Sequence, residues 1–323
     1  MSEVLTVNNL KLYYFTRKGV VKALDDVSFS LKEGETLGLV GESGCGKTTL
    51  GMGLLRMPSP PGKIVDGEII IDNENIIHLK ENELRKRIRW NKISMIFQGA
   101  MNSLTPVYNI KKQMLETLLN HREMEEEQAL EIIKKYINYV GLSEDVLKRY
   151  PHELSGGMKQ RVVIATALFL EPKIVIADEP TTALDVVVQA QIINLLKKLK
   201  HDLNLSFIFI THDLATEAEV ADRIMVMYAG KIAEIGTNDQ IYGKQGPSHP
   251  YTKGLLGATP KLREKVEELA FIPGTPPDLL NPPTGCRFHE RCPVAFDKCI
   301  LNEPPLKEIE PEHFVACWRC YDE

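Results

Sequence analysis

Gly41-Glu42-Ser43-Gly44-Cys45-Gly46-Lys47-Thr48 decides the fold. It has the form G-x-x-x-x-G-K-[ST], a phosphate cradle. An apolar run with Leu37, Leu39 and Val40 precedes it as a buried strand, and residues 49–55 continue as a helix. Glycines let the chain curl so that successive N–H groups face an anion, and the helix start adds its positive dipole end. In this reading Gly41, Ser43, Gly44, Cys45, Gly46 and Thr49 wrap the phosphates, Cys45 standing where the motif leaves the residue free. Lys47 reaches the β- and γ-phosphates, and the Thr48 hydroxyl ligates Mg²⁺.

Outward from this loop, other stretches offer matching chemistry. The run 174–177 is a short buried strand delivering Asp178 and Glu179, adjacent carboxylates suited to holding Mg²⁺ and to deprotonating a water. Ile93–Phe97 is another strand, ending at Gln98. Phe207–Ile210 is a third, ending in Thr211-His212-Asp213. A histidine there is either structural or a ligand contact, because ligands gather at the carboxyl ends of strands in open α/β sheets. Ser155, in Leu154-Ser155-Gly156-Gly157, stands at an N-cap position. That helix start either is plainly capped or binds an anion. Tyr13 and Tyr14 face opposite sides of a strand, so one of them could stack on a purine as readily as fill a core.

The first 40 residues read as two or three strands: Leu5–Val7 and Leu10–Phe15 lead to a turn at Arg17-Lys18-Gly19, Val20, Val21 and Ala23 resume, and Val27–Leu31 alternates as a half-buried strand. Residues 67–71 form another after the break at Met57–Gly62. A helical pattern over about 110–147 suggests a subdomain, with the acid-rich stretch Glu123–Glu127 as a solvated face or loop. Twelve of the nineteen prolines and five of the six cysteines lie in the last 87 residues. Cys286, Cys292, Cys299, Cys317 and Cys320 suit a metal better than disulfides if the chain works in a reducing compartment. Their spacing does not choose between zinc and an iron–sulfur cluster.

Composition excludes little. The chain has 323 residues, 43% apolar and 26% charged, with a formal net charge of −5. That charge gives no general attraction to nucleic acid. There is no apolar run of the ~18 residues a membrane helix needs, and Met1–Val7 lacks the pattern of a signal peptide, so a cytosolic chain is expected.

Together, Gly41–Thr48, Gln98, Leu154–Gln160, residues 174–179, Asp185 and His212 resemble the ATPase subunits of ABC transporters. The tail narrows this: His249-Pro250-Tyr251-Thr252-Lys253-Gly254-Leu255-Leu256 and Gly285–Pro293 are similar to the C-terminal extension of dipeptide and oligopeptide importer ATPases. The resemblance implies an α/β ATPase domain over 1–236, with an antiparallel β portion and a helical subdomain at about 99–165. An extension follows over 237–323. Tyr14 would stack on adenine, Gln98 would help bind Mg²⁺ and sense the γ-phosphate, and Asp178 would hold Mg²⁺. Glu179 would be the general base, and Lys47 and His212 γ-phosphate contacts. Ser155 and Gly157 would complete the site of an opposing subunit, with Asp185 also in the nucleotide-binding set. Cys286, Cys292, Cys299 and Cys317 would bind a [4Fe–4S] cluster, Zn²⁺ being the alternative.

The implied partners are a second ATPase subunit, two transmembrane permease subunits and, indirectly, an extracytoplasmic peptide-binding protein. No nucleic acid is implied, and the chain would sit at the cytoplasmic face of the membrane. Rival readings are a soluble ABC ATPase of DNA repair or translation and a metal-sensing regulatory ATPase. Two departures stand out: Gly99-Ala100 follows Gln98 where the family has Asp-Pro, and Cys320 is an extra thiol. Because the nearest tail cysteine lies 74 residues beyond His212, the ATP site is expected to survive loss of a tail cluster.

Overall fold

Buried strands carry the functional loops at their ends. The computed structural model describes residues 2–258 and 271–321; the expected extension over 237–323 thus includes residues outside the described ones. Among the described residues the strands are β1 (Glu3–Thr16), β2 (Gly19–Lys32), β3 (Thr36–Val40), β4 (Gly62–Ile71), β5 (Glu74–Asn75), β6 (Ile93–Ile96), β7 (Ile174–Asp178), β8 (Ser206–Ile210), β9 (Arg223–Tyr228), β10 (Lys231–Thr237), β11 (Lys307–Glu310) and β12 (His313–Val315). The helices are α1 (Lys47–Leu54), α2 (Glu81–Glu83, a single turn), α3 (Ile110–His121), α4 (Glu126–Tyr139), α5 (Gly156–Leu168), α6 (Val186–Leu203), α7 (Leu214–Val220), α8 (Asn238–Tyr242), α9 (Pro250–Gly257) and α10 (Asp297–Leu301). The chain divides into two compact units, and several strands pass from one to the other. One comprises Met1–Leu5, Leu31–Glu35 and Ile70–Phe209; the other Thr6–Ser30, Thr36–Ile69 and Ile210–Glu323.

In the first unit β6 and β7 pair in parallel, Ile93 opposite Ile174 and Ile96 opposite Ala177. Both are buried throughout, as parallel strands covered on both faces must be. The helical part is amphipathic: α4 buries Ala129, Ile133, Tyr136 and Ile137, one stripe of a 3.6-residue period. Helix α3 starts where the Asn109 side chain accepts a hydrogen bond from the Lys112 amide at 2.9 Å. The acid-rich stretch divides, Glu123 to Glu125 preceding α4 and Glu126 opening it.

In the second unit β3 runs parallel to β9, Leu37 opposite Arg223 and Val40 opposite Val226. β9 then pairs antiparallel with β10, and β10 with β12, which pairs with β11. The C-terminal residues therefore extend a sheet instead of building their own. Their apolar side chains do the same: Tyr251 and Phe288 belong to one cluster with Val40, Ile224, Val226 and Tyr228, with Cys286 and Cys292 packed against it. Glu234 on β10 is the polar anchor. Fully buried, it accepts hydrogen bonds from the amides of Ser248 (2.6 Å) and His249 (3.1 Å) and pairs with His313 Nε2 at 2.8 Å. Burial opposes its ionisation, but these bonds prevail and hold its carboxyl below the usual glutamate range.

Glu217 on α7 is the opposite case. It is fully buried, and among the described residues neither carboxylate oxygen has a hydrogen-bond partner. A Cβ on Gly38 would stand 1.7 Å from Glu217 Oε1, so only glycine at that β3 position admits the side chain. Burial, with Asp213 nearby, raises its carboxyl well above the usual range. A raised value means its contribution to stability is full below about pH 4.5, where the unfolded chain is protonated too. It is lost as the pH rises toward the folded-state value. Glu217→Gln, which keeps the shape without the proton linkage, is expected to melt a few degrees above the natural chain at pH 8. That gain should shrink to nothing near pH 4; thermal unfolding across that range checks it.

Candidate functional site

The phosphate loop, residues 41–48, connects β3 to α1 in the second unit. Its shape depends on three glycines. Gly44 has φ +80° and open space around it, so backbone freedom alone selects it. Gly41 and Gly46 also have positive φ, and a Cβ on them would lie 2.2 Å from the Met227 carbonyl oxygen and 2.7 Å from that of Ala23. Lys47 donates to the carbonyls of Gly41 (2.6 Å) and Glu42 (3.1 Å), which keeps its ammonium at the loop. Cys45 is buried, its thiol pushed up by that burial.

Two further expected residues share this unit. The Tyr14 hydroxyl lies 3.4 Å from Thr49 Oγ1, and its ring covers Gly62, where a Cβ would lie 2.9 Å from Tyr14 Cε1. Tyr13 faces the other way, its hydroxyl donating to Asp25 at 2.6 Å. The adjacent tyrosines thus separate into one beside α1 and one fixed by a carboxylate. His212 is exposed at the carboxyl end of β8, followed by Asp213, whose side chain caps α7 by accepting from the Ala215 amide at 3.0 Å.

The first unit holds the other group. β7 ends in Asp178, 1% exposed, and Glu179 follows. Glu179 has φ +47°, left-handed backbone that a residue with a Cβ seldom adopts. Its Oε2 accepts from Gln98 Nε2 and from the Thr182 hydroxyl, both at 2.8 Å. Gln98 and Glu179 are therefore brought together. Ser155 caps α5, its oxygen accepting from the Met158 amide at 3.3 Å. Gly156 and Gly157 open that helix, and a Cβ on Gly157 would meet Val188 at 2.8 Å. Asp185 caps α6, accepting from the Val188 amide at 3.0 Å. Gln160, whose role the sequence reading leaves open, is buried and donates to the Pro180 carbonyl at 2.6 Å. It fixes the segment just beyond Glu179.

Gly99-Ala100 makes a turn that Asp-Pro could not make in this form. Gly99 has φ +65°, and the Ala100 amide donates to the Phe97 carbonyl at 3.0 Å, a bond for which proline has no N–H.

Cys286, Cys292, Cys299 and Cys317 line one cavity with His249, Phe288 and His289. Burial pushes the Cys286 thiol up to about 12, with the other three thiols adding to the effect. Among the described residues no set of three or more histidine, cysteine or acidic side chains is arranged to hold a metal ion. The extra Cys320 faces a different groove, beside Lys253 and Arg319, its Sγ 3.9 Å from the Ser248 carbonyl oxygen.

The tail and the phosphate loop, far apart along the chain, touch in space. Arg291, one residue before Cys292, donates to both Glu42 oxygens in the phosphate loop, at 2.6 and 2.9 Å. Arg287, one residue after Cys286, pairs with Asp25 and donates to the Ala229 carbonyl. Distance along the chain misleads because the tail folds onto β9 and β10. Both arginines, with Glu42 and Tyr251, were visible only as members of the cysteine, proline and glycine motifs around them.

A family profile described as ABC transporter matches residues 24–182, and one described as Oligopeptide/dipeptide transporter, C-terminal region, matches residues 233–299. The dipeptide transport ATP-binding protein DppD of Bacillus subtilis is 46% identical over 98% of this chain and 95% of its own length. The oligopeptide transport ATP-binding protein OppD of Escherichia coli is 44% identical over 99% and 94%. Among solved structures, a dimeric bacterial ABC transporter cassette aligns with a TM-score of 0.63 at 30% identity, covering 72% of this chain and 98% of that one. A post-hydrolysis dimer of that cassette, bound to ADP and phosphate, aligns at 0.60. With the α/β ATPase fold and both regions matched, the chain belongs to the ABC transporter family, among the ATP-binding proteins with an oligopeptide/dipeptide-transporter C-terminal region.

Proposed function

We propose that this chain is the ATP-binding and ATP-hydrolysing subunit of an ABC importer that powers uptake of dipeptides or oligopeptides. The observation that carries the proposal is the phosphate loop, with Lys47 at its mouth and glycine where a side chain would strike backbone. The 44–46% identity to peptide-transport proteins across nearly the whole chain supports the substrate class. The soluble DNA-repair, translation and metal-sensing alternatives have no comparable support. Among the described residues no helix is long and apolar enough to cross a membrane. Separate permease subunits would then supply the channel, with this chain at the cytoplasmic face and a peptide-binding protein delivering substrate outside.

In this reading the loop amides and Lys47 bind the β- and γ-phosphates, Tyr14 stacks on adenine, and His212 contacts the γ-phosphate. Glu179 takes a proton from the attacking water as its oxygen bonds to the γ-phosphorus and the bond to the ADP oxygen breaks. Gln98, bonded to Glu179, orients that carboxylate. Thr48, Gln98 and Asp178 offer the oxygen donors that Mg²⁺ prefers, and the ion would neutralise charge on the phosphates. Ser155 and Gly157, exposed or half-exposed at the start of α5, would complete the nucleotide site of a second ATPase subunit, with Asp185 near the same junction. The dimeric form of the similar cassettes supports this arrangement.

For the tail we infer a [4Fe–4S] cluster on Cys286, Cys292, Cys299 and Cys317. Four soft thiols around one cavity are the donors that iron and sulfide take, Zn²⁺ being the alternative. Such a cluster would hold the thiols as thiolates and staple the segment.

Glu179→Gln is expected to leave ATP binding nearly intact and to slow hydrolysis roughly 10²–10⁴-fold, the usual worth of a positioned base. Near-normal turnover in a steady-state assay would remove Glu179 from that role. Ser155→Arg should abolish hydrolysis while the monomer still binds ATP, and mixing it with Lys47→Ala protein should restore activity if the chain pairs with itself. Loss of monomer nucleotide affinity would sink the shared site. Anaerobically purified protein should be brown, absorb near ~400 nm and carry about four irons per chain. Serine at any of the four cysteines should remove the colour, whereas Cys320→Ser should not. Protein free of iron, with residues 271–321 still protease-resistant, would refute the cluster.

A further inference from the structure

We propose that Arg291 is a positioning residue of the phosphate loop, fixing through Glu42 the loop shape that receives a nucleotide and tying that shape to the cysteine segment. The inference rests on the reading that the loop binds ATP.

Glu42 is the first of the four residues the motif leaves free, so nothing in phosphate binding itself fixes its side chain. In the structure it is held two ways, and the loop a third, from residues beyond 227. Arg291 grips both carboxylate oxygens, at 2.6 and 2.9 Å. Tyr251, fully buried, accepts the Glu42 amide at 2.9 Å through its hydroxyl. One turn further along the loop, the Gly230 amide donates to the Cys45 carbonyl at 2.9 Å. Arg291 is itself immobilised: 7% exposed, it donates to the Pro273 carbonyl at 2.8 Å and to the Tyr228 hydroxyl at 3.2 Å. A bidentate guanidinium–carboxylate pair specifies direction as well as charge, so its partner cannot drift.

The consequence for the nucleotide runs through Lys47. Its ammonium is seated on the carbonyls of Gly41 and Glu42, so a shift of the Glu42 peptide shifts the lysine. The charge matters too. An uncompensated Glu42 carboxylate beside a triphosphate would repel it, and Arg291 cancels that charge. Arg291 ends the short turn His289–Arg291 and directly precedes Cys292. Any rearrangement of the cysteine cavity therefore pulls on the group that holds the loop. A tail serving only as a staple would need no contact at Glu42.

The test measures binding of a fluorescent ATP analogue to the full chain, corrected for folded fraction, beside steady-state kinetics. Arg291→Met is expected to raise the dissociation constant and the KM for ATP about ten-fold or more, the scale of one lost charge-assisted hydrogen bond. It should change kcat less than about three-fold, because Arg291 holds the loop and not the attacking water. Arg291→Lys, which keeps the charge but not the fork, should fall between. Glu42→Gln should weaken binding less, and the double variant Glu42→Gln/Arg291→Met should be no worse than Arg291→Met alone. Cys292→Ser should weaken binding in the natural background and add nothing over Glu42→Gln. Lys47→Ala that binds at natural affinity would overturn the reading of the loop. Lys47→Ala that loses affinity while Arg291→Met and Glu42→Gln keep it would overturn the inference, as would additive effects of Cys292→Ser and Glu42→Gln. If Arg291→Met does not fold, Glu42→Gln decides alone, since it leaves the Arg291 bonds to Pro273 and Tyr228 in place.

Discussion

The constraint on which the second unit depends is steric: the phosphate loop must keep its amides turned toward an anion while foreign backbone presses on it from behind. Gly41 rests on the Met227 carbonyl and Gly46 on that of Ala23. The loop is thus the surface where the end of β9 and the strand β2 meet it, not a free hairpin with a useful sequence. Any side chain at 41 or 46 would force the loop away from those carbonyls and open the cradle. Lys47, bonded to the loop's own carbonyls, is correct only while that curl is kept.

The same turn, 227–230, explains why the tail is part of this unit. A Pro-rich segment of 87 residues buries too little to order itself. It gains order by sharing apolar surface with β9: Tyr228 packs against Tyr251 at 4.6 Å and edge-on to Phe288 at 5.2 Å between ring centroids. Polar groups then fix its register. Glu234 takes the amides that open α9, Arg287 takes the Ala229 carbonyl, and Arg291 takes the Tyr228 hydroxyl. The residues that buttress the phosphate loop from one side carry the cysteine segment on the other. A metal staple in that segment would order a structure already anchored by a buried carboxylate and two arginines.

Much of this was legible where the chemistry is local. The loop at 41–48, the cap at Ser155 and the strand delivering Asp178 each depend on a few consecutive residues, and each forms as its sequence requires. The first strands were less legible. Residues 1–40 read as two or three strands, with the apolar runs interrupted near residues 8–9 and 24–26, yet β1 and β2 both run unbroken for 14 residues. At those two points Asn9 (φ +49°) and Asp26 (φ +67°) take left-handed backbone within their strands, and Asn9 Nδ2 donates to Asp26 Oδ1 at 2.8 Å. Polar residues that look like turn punctuation instead accommodate each other across a ladder. The pair Arg291–Glu42, 249 positions apart, leaves no trace in any local pattern. Neither does the buried acid Glu217, whose place follows from a missing Cβ on a neighbouring strand.

Glu179 breaks a local rule of backbone conformation. Nothing in Ala177-Asp178-Glu179-Pro180 favours left-handed backbone at a glutamate; the conformation costs of order 1 kcal/mol and persists only where surroundings over-determine it. Here they do. Gln160 holds the Pro180 carbonyl, Thr182 donates to the carboxylate from one side, and Gln98 donates from the other. A carboxylate fixed by two donors has fewer orientations to lose when it accepts a proton in a particular direction. The fixing residues lie on three segments, 98, 160 and 182, so the strain is stored by the unit as a whole. A bond to Gln98 further means that whatever moves the 97–100 turn also moves the carboxylate. If Glu179 is the base proposed above, the Gly99-Ala100 departure would act on it through that one hydrogen bond, and not only on the surface that the turn presents.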